Sequence, residues 1–255
     1  MDSKPEVTAC LSVIIPAYNE EATLARVVGE VLKLSQVLEI IVVDDGSTDG
    51  TRQVCEELNR IPRVRTVILP RNQGKCEALK AGFAISTGEI VIIQDADLEY
   101  DPREIPDVIQ PILEGQADVV YGSRFLVRKA TRVLYFYHFV ANKCLTLFSN
   151  LLTNVNFTDV ETGYKAFRGE IIRNMRITSR GFGIEIEMTA KIAKLGCAIY
   201  EVPISYYGRT YEQGKKIGLS DGIEALWYIV KFNFFCSLQA SFIKLPNLKS
   251  LKKSS

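Results

Sequence analysis

The chain has 255 residues, 47% of them apolar, and its 31 basic side chains nearly balance 30 acidic ones for a net charge of +1. That is ample for one α/β domain with a sizeable core, and so neutral a balance gives nucleic acid no bulk electrostatic hold. A single histidine (His138) and six scattered cysteines (Cys10, Cys55, Cys76, Cys144, Cys197 and Cys236) without CxxC spacing argue against a multi-histidine centre, a zinc site or a disulfide framework; the cysteines read as small buried hydrophobes in a reducing compartment.

Residues 1–10 read as a polar tail without the pattern of a secretory signal. Residues 11–16 form an apolar run of strand character, and the spacing of Ala22, Val27, Val31 and Leu34 predicts a helix over 20–34 with Asn19 as its N-cap. A second buried strand over 39–43 ends at Asp44-Asp45-Gly46-Ser47-Thr48-Asp49-Gly50, turn chemistry in which Ser47 or Asp49 can cap a helix over 51–59. A third strand follows over 64–69, then a helix over 75–85 entered through Asn72-Gln73-Gly74, a fourth strand over 89–93 and a further short strand over 119–121. Beyond Arg124 the pattern changes to long, aromatic-rich amphipathic stretches with little strand character. Residues 158–167 form a polar interlude, 184–195 a helix, 198–202 a strand entering Pro203, and 209–216 a basic loop containing glycine.

The fourth strand stops at Gln94-Asp95-Ala96-Asp97-Leu98-Glu99. Carboxylates at i and i+2 in extended chain share a face. Like charges held that close repel, and a site that keeps them ionised usually adds a divalent cation. Hard oxygen donors suit Mg²⁺ or Mn²⁺, with positions left open for a diphosphate. An acidic loop capping a buried strand accounts for the triplet equally well. Strands with little polar alternation, separated by helical spans, predict a mainly parallel sheet covered on both faces, and in such sheets ligands bind beyond the carboxyl ends of the strands. The segments 16–20, 44–45 and 95–99 each follow a strand, so three polar loops at one sheet edge imply one site.

Two later segments, 133–155 and 223–245, are apolar but interrupted. The first contains His138, Asn142, Lys143, Asn150 and Asn154, the second Glu224, Lys231, Asn233 and Lys244. Neither is a clean run of about 18 to 20 apolar residues that would span a bilayer. Interfacial amphipathic helices and buried core helices both fit. No acidic residue follows Glu224, whereas Lys231, Lys244, Lys249, Lys252 and Lys253 do; such an end suits an anionic membrane surface or an ordinary solvated tail.

Pro16-Ala17-Tyr18-Asn19-Glu20, Val42-Val43-Asp44-Asp45-Gly46-Ser47-Thr48-Asp49-Gly50, Asn72-Gln73-Gly74-Lys75 and Asp95-Ala96-Asp97 occur in the order seen in family-two glycosyltransferases of the GT-A fold, which this chain resembles. Gly122-Ser123-Arg124-Phe125, Thr158-Asp159-Val160-Glu161-Thr162-Gly163-Tyr164-Lys165 and Arg209-Thr210-Tyr211 with Lys215-Lys216 look like the dolichyl-phosphate or polyprenyl-phosphate mannosyl- and glucosyltransferases. The resemblance covers roughly residues 11 to 230 and implies an α/β, Rossmann-like nucleotide-diphospho-sugar transferase fold. It also implies a division into a tail (1–10), a catalytic domain (11–218) with an aromatic amphipathic insertion (126–157), and a membrane-facing helix with a basic tail (219–255).

By the same resemblance, Pro16, Tyr18 and Glu20 line the base and ribose pocket, continued by Val42 and Asp44, whose carboxylate suits base N–H groups. Asp97 is the leading metal ligand with Asp95 and Glu99 nearby, the ion being Mg²⁺ or Mn²⁺; relatives often carry Gln at the position of Glu99. Asp95, Asp97 and Arg124 form the catalytic set, and Ala96 lies in the donor site with them. Arg124 meets phosphate oxygens with its fork. Arg209 and Lys215 (or Lys216) belong to a loop closing over the donor diphosphate. Arg128, Lys129 or Arg132 meets the acceptor phosphate, and Asp159 with Lys165 and Arg168 orders the acceptor end. The implied donors are GDP-mannose or UDP-glucose, with mannose favoured. The implied acceptor is a polyprenyl or dolichyl phosphate, taken from the cytosolic face of a membrane to which the protein is peripheral.

A polyprenyl phosphate is anionic at neutral pH, so no strong base is needed to activate it and a scarcity of histidine is no obstacle. The protein must instead compensate two phosphates that repel each other. Phe125, Leu126, Val133, Leu134, Tyr135, Phe136, Tyr137 and Phe139, with Trp227, Tyr228, Phe232, Phe234 and Phe235, supply aromatic surface for a prenyl chain or, on the plainer reading, core packing. A polysaccharide acceptor is disfavoured by the lack of a QxxRW motif, and a nucleotidyltransferase by the lack of a glycine-rich basic loop over 11–24. A non-catalytic lipid-presenting subunit is disfavoured by intact Asp95, Asp97 and Arg124.

Overall fold

A computed structural model describes residues 9–126, 135–181, 183–208 and 219–248. The strands are β1 (Leu11–Ala17), β2 (Val37–Asp44), β3 (Val64–Ile68), β4 (Ile90–Ile93), β5 (Val119–Ser123), β6 (Lys165–Arg168) and β7 (Ile199–Pro203). Between and after them run α1 (Leu24–Val31), α2 (Thr51–Leu58), α3 (Lys75–Ile85), α4 (Ile105–Leu113), α5 (Phe136–Thr153), α6 (Gly169–Asn174), α7 (Gly183–Leu195), α8 (Leu219–Phe234) and α9 (Leu238–Ser241).

The seven strands form one sheet in the order β3-β2-β1-β4-β6-β5-β7. β1 lies parallel to both β2 and β4, β2 to β3, and β5 to β7, while β6 runs antiparallel to β4 and β5. Strand side chains alternate between two apolar layers. Val13, Ile15, Ile40 and Val42 pack with α1, α2 and α4, and Ile14, Ile41, Val43, Val91 and Ile93 pack with α3, α6, α7 and α8. Burial on both faces explains why these strands read as unbroken apolar runs.

The chain steps outward from β1 to β2 and β3, then returns on the other side of β1 to form β4. A reversal of this kind opens a crevice beyond the carboxyl ends of the strands that flank it. The register places Ala17 opposite Asp44, and Ile14 opposite Ile93, so the loops after β1, β2 and β4 emerge together. β6 contributes through its direction. Because it is antiparallel, with Ala166 opposite Ile92, the segment just before it arrives at the same edge.

Several local expectations are corrected. α1 begins at Leu24 rather than at residue 20, and its N-cap Thr23 makes no side-chain cap bond. Asn19, at φ +56°, does not cap it; its Oδ1 accepts from Thr48 N–H at 2.9 Å. Ser47 instead donates to Asp44, and Asp49 accepts from Thr51 N–H at 3.0 Å at the start of α2. The interlude over 158–167 contains the start of β6. Of the cysteines, Cys55 and Cys76 are buried, whereas Cys144 is exposed.

Candidate active site

The loops after β1 and β2 are laced together. Asn19 N–H donates to Ser47 Oγ at 3.0 Å, Glu20 N–H to Thr51 Oγ1 at 2.8 Å, and Gly50 N–H to Glu21 Oε2 at 2.7 Å. Tyr18 projects from this clamp with 42% of its surface exposed. The two adjacent aspartates divide their labour. Asp45 accepts from Gln73 N–H at 2.8 Å and Gly74 N–H at 2.7 Å, fixing the entry to α3. Only glycine fits at position 46, where φ is +67° and a β-carbon would come within 2.4 Å of the Arg71 backbone. Asp44 is wholly buried; its Oδ1 accepts from Ser47, and its Oδ2 has no hydrogen-bond partner.

At the end of β4, Ala96 packs into the core while Asp95 meets Lys75 at 2.8 Å. The same ammonium lies 3.5 Å from Glu185 at the start of α7. Burial works against the charge on Lys75, but the two carboxylates outweigh it and raise the pKa. Asp97 Oδ1 accepts from Glu99 N–H at 3.0 Å, closing a turn that holds Leu98 at φ +62°. A left-handed non-glycine residue of this kind stores about 1–2 kcal/mol of strain, a feature that clusters at functional sites.

The loop before β6 completes the edge. Gly163 touches the Asp95–Lys75 pair so closely that a β-carbon would fall 2.7 Å from Asp95 Oδ2. Arg124, at the end of β5, is gripped by Asp159: Nε and Nη2 each donate at 2.7 Å, and the Arg124 backbone N–H donates at 3.1 Å. Its guanidinium also sits 5.2 Å from the Tyr206 ring centroid. Burial opposes the charge, but Asp159 raises the Arg124 pKa well above the ordinary value. Burial, reinforced by Glu185, raises Glu161 to about 7, with Lys165 and Arg124 pulling the other way. Three tyrosines tie the loops together. Tyr100 stacks on Tyr164 at 5.2 Å and accepts from Gly163 N–H, while Tyr206 donates to Glu99 at 2.7 Å.

Residues 12–176 match the sequence profile of glycosyl transferase family 2. The chain belongs to that family. Over 228 residues it is 31% identical to polyprenol monophosphomannose synthase of Mycolicibacterium smegmatis, covering 86% of this chain and 85% of that protein. It is 30% identical over 198 residues to glycosyltransferase AglJ of Haloferax volcanii, covering 77% of this chain and 63% of that protein. Among solved structures, glucosyl-3-phosphoglycerate synthase from Mycobacterium tuberculosis in complex with Mn²⁺, UDP and glucosyl-3-phosphoglycerate superposes with a TM-score of 0.68 at 23% identity, over 89% of this chain and 80% of that one. At that identity the likeness establishes the shared GT-A fold.

For this family-two glycosyltransferase, the structure brings Tyr18, Glu20, Asp44, Asp95, Asp97, Glu99 and Arg124 to one sheet edge, with Pro16 next to them in β1. Burial and internal hydrogen bonds set Val42, Lys165 and Asp159 apart from these. Val42 is fully buried in the core. Lys165 is equally buried, its Nζ donating to the Val160 and Thr162 carbonyls, so it orders its own loop and does not reach an acceptor phosphate. Desolvation lowers its pKa to about 8, against the pull of Glu185 and Glu161. Asp159 spends its carboxylate on Arg124, while Arg168 donates to Asp118. Asp95 and Asp97 follow the end of β4, with Glu99 next along the same loop. Arg128, Lys129, Arg132, Arg209, Lys215 and Lys216 lie outside the described residues.

Lys75, Glu161, Glu185, Tyr100, Tyr164 and Tyr206 escape the sequence reading. Lys75, Glu161 and Tyr164 stand inside quoted motifs, which is their only signal; Glu185 has none. Beyond Arg124, Phe125 packs edge-on against Phe139 of α5, and the Lys143 ammonium lies 4.1 Å from the Phe125 ring centroid. α5 then presents Tyr137, Val140, Cys144, Leu147 and Leu151 outward at three- and four-residue spacing, and α8, packed beside it, exposes Ile223, Trp227 and Phe234. No helix among the described residues is long and apolar enough to cross a membrane.

Proposed function

We propose that this protein is an inverting, metal-dependent hexosyltransferase, moving mannose by preference from a nucleotide-diphosphate sugar to a polyprenyl or dolichyl phosphate at the cytosolic surface of a membrane. One observation carries the reading. A buried, half-satisfied Asp44 and the Asp95–Asp97 pair lie at the ends of the two strands that flank β1, in a chain 31% identical to polyprenol monophosphomannose synthase. The free Oδ2 of Asp44 accepts an N–H of the nucleoside base, beside exposed Tyr18.

Mg²⁺ and Mn²⁺ in such sites take one or two carboxylates plus substrate phosphates rather than a closed protein cage. The hard oxygens of Asp97 and Asp95 fit such an ion, with Glu99 next along the loop. When bound, it neutralises charge on the leaving diphosphate. Arg124, oriented by Asp159, turns its remaining N–H groups to phosphate oxygen. Arg209 and Lys215 complete the cationic set over the donor, and Arg128 or Arg132 does so over the acceptor. A lipid phosphate oxygen bonds to C1 of the sugar as the bond from C1 to the diphosphate oxygen breaks, which inverts the anomeric centre. The apolar faces of α5 and α8 and the basic end of the chain rest on the lipid surface.

The test is incubation of purified protein with Mn²⁺ or Mg²⁺, polyprenyl phosphate and a panel of labelled nucleotide sugars. A solvent-extractable lipid-linked hexose is expected, strongest with GDP-mannose, and it should be abolished by Asp97→Ala without loss of fold. No lipid-linked product from any donor refutes the proposal. UDP-glucose is the second donor to include, because a structural neighbour at 22% identity was solved with Mn²⁺ and UDP-glucose.

A further inference from the structure

Four buried side-chain oxygens among the described residues have no hydrogen-bond partner: Asp44 Oδ2, Gln94 Oε1, Glu161 Oε1 and Glu185 Oε2. A buried acceptor left unpaired bears its full desolvation cost, so each asks for a ligand. All four belong to the carboxyl edge of the sheet. Asp44 ends β2 and Gln94 follows β4, Glu161 sits in the loop before β6, and Glu185 reaches Lys75, the partner of Asp95. The nucleoside base accounts for Asp44. Nothing in the transfer step described above uses Glu161 or Glu185, although Glu185 is only 5% exposed.

The surrounding charges select the ligand. Carboxylates of Asp95, Asp159, Glu161 and Glu185 face the cations Lys75, Lys165 and Arg124, and each cation is already engaged: Lys75 by Asp95 and Glu185, Arg124 by Asp159, Lys165 by two carbonyls. An anion entering here meets an excess of negative charge. A neutral hydroxyl, which both donates and accepts, satisfies such an oxygen without adding charge whether its carboxyl is ionised or protonated. Position agrees with charge. A donor sugar is joined directly to the diphosphate, which places it beside Asp95, where Lys75 brings Glu185 close and Gly163 packs the Glu161 loop against the same pair.

We infer that Glu161 and Glu185 form the wall of the hexose pocket, their unpartnered oxygens accepting hydrogen bonds from hydroxyl groups of the donor sugar. The inference rests on the nucleotide-sugar reading proposed above, and it adds two specificity-determining residues to it.

Calorimetric titration in Mn²⁺ tests it, comparing a nucleoside diphosphate, the matching nucleotide hexose and its four monodeoxy analogues on wild type, Glu161→Gln and Glu185→Gln. The hexose should add affinity to the diphosphate in wild type, and each substitution should shrink that increment roughly 10- to 100-fold, the range of a hydrogen bond to a charged group. At least one monodeoxy donor should bind wild type more weakly by a similar factor. The matching glutamine variant should then not weaken that donor further. If no monodeoxy donor loses affinity for wild type, a result independent of how the variants fold, the inference is overturned. It is also overturned if the deoxy and glutamine losses add in full, as they would if only water met these oxygens. Wild type that binds neither diphosphate nor nucleotide hexose overturns the nucleotide-sugar reading as well, which separates the two failures.

Discussion

Removing the Asp159 carboxylate should leave Arg124 with a buried charge and no counterpart. The carboxylate is fully buried, the arginine side chain is only 10% exposed, and three hydrogen bonds between 2.7 and 3.1 Å join them. Deleting one partner of a buried pair costs about 3–5 kcal/mol. For a chain of this length, each kcal/mol lowers Tm by about 2–4 °C, so Asp159→Ala should lower it by roughly 6–20 °C. The Tyr206 ring, 5.2 Å from the guanidinium carbon, keeps part of the cation's stabilisation and moves the expectation toward the lower half of that range. Asp159→Asn retains one acceptor oxygen and should cost less. Urea unfolding of both variants, alongside Arg124→Met/Asp159→Leu, measures the coupling. The double variant should recover stability while hexosyl transfer stays lost. A cost below about 1 kcal/mol for Asp159→Ala, the range of exposed bridges, would falsify the argument that this pair is a desolvated anchor.

Gly163→Ala should push the Asp95 carboxylate out of place, since a β-carbon would come within 2.7 Å of it; transfer activity should fall at least about tenfold with a stability loss of only about 1–2 kcal/mol, and wild-type turnover in the variant would refute the close approach. The raised pKa of Glu161, about 7 against an ordinary 4.5, means that the folded protein keeps this proton to higher pH than the unfolded chain does. Its contribution to stability is full below pH 4.5 and is lost as pH rises through 7, so Glu161→Gln should flatten the unfolding free energy across that window, and an unchanged slope counts against it. Leu147→Glu/Leu151→Glu, at two exposed α5 positions, should weaken flotation with anionic vesicles several-fold while leaving Tm within about 2 °C; undiminished flotation excludes α5 as the lipid-facing surface.

What the sequence revealed, and what it hid, follows from where each signal resides. The strands leading to the site carry Val and Ile on both faces, so their identity is local, and the helix over 75–85 is observed with those bounds. Motifs that follow strands are placed by topology alone, which is why the loops after β1, β2 and β4 were legible as one site. β6 was not. Lys165-Ala-Phe-Arg168 has polar residues at both ends and only four positions, and its strand state comes from the two neighbours that pair with it. α7 misleads in another way. Glu187 and Lys191 have the i to i+4 spacing of an exposed helical ion pair, yet both are buried, with Glu187 accepting from the Thr178 and Ser179 N–H groups. The same disguise hides Glu185, two residues earlier. Lys165 is legible as a motif lysine, but its burial against the Val160 and Thr162 carbonyls comes from the fold and leaves no mark in the sequence.

The antiparallel strand β6 also fixes the order in which the site can come into being. Residues as far as Ile93 suffice to pair β1, β2, β3 and β4, so the half of the sheet that carries Asp44 can consolidate while the chain is still being synthesised. Asp95 acquires Gly163 at its side, and Arg124 acquires Asp159, only when the segment before β6 has been made and the strand has slotted between β4 and β5. Until then the sheet has an open edge at β4, a template for pairing with another chain. Closing that edge and bringing Gly163 to Asp95 and Asp159 to Arg124 are therefore one event, so the cluster at the sheet edge is incomplete until β4 is covered.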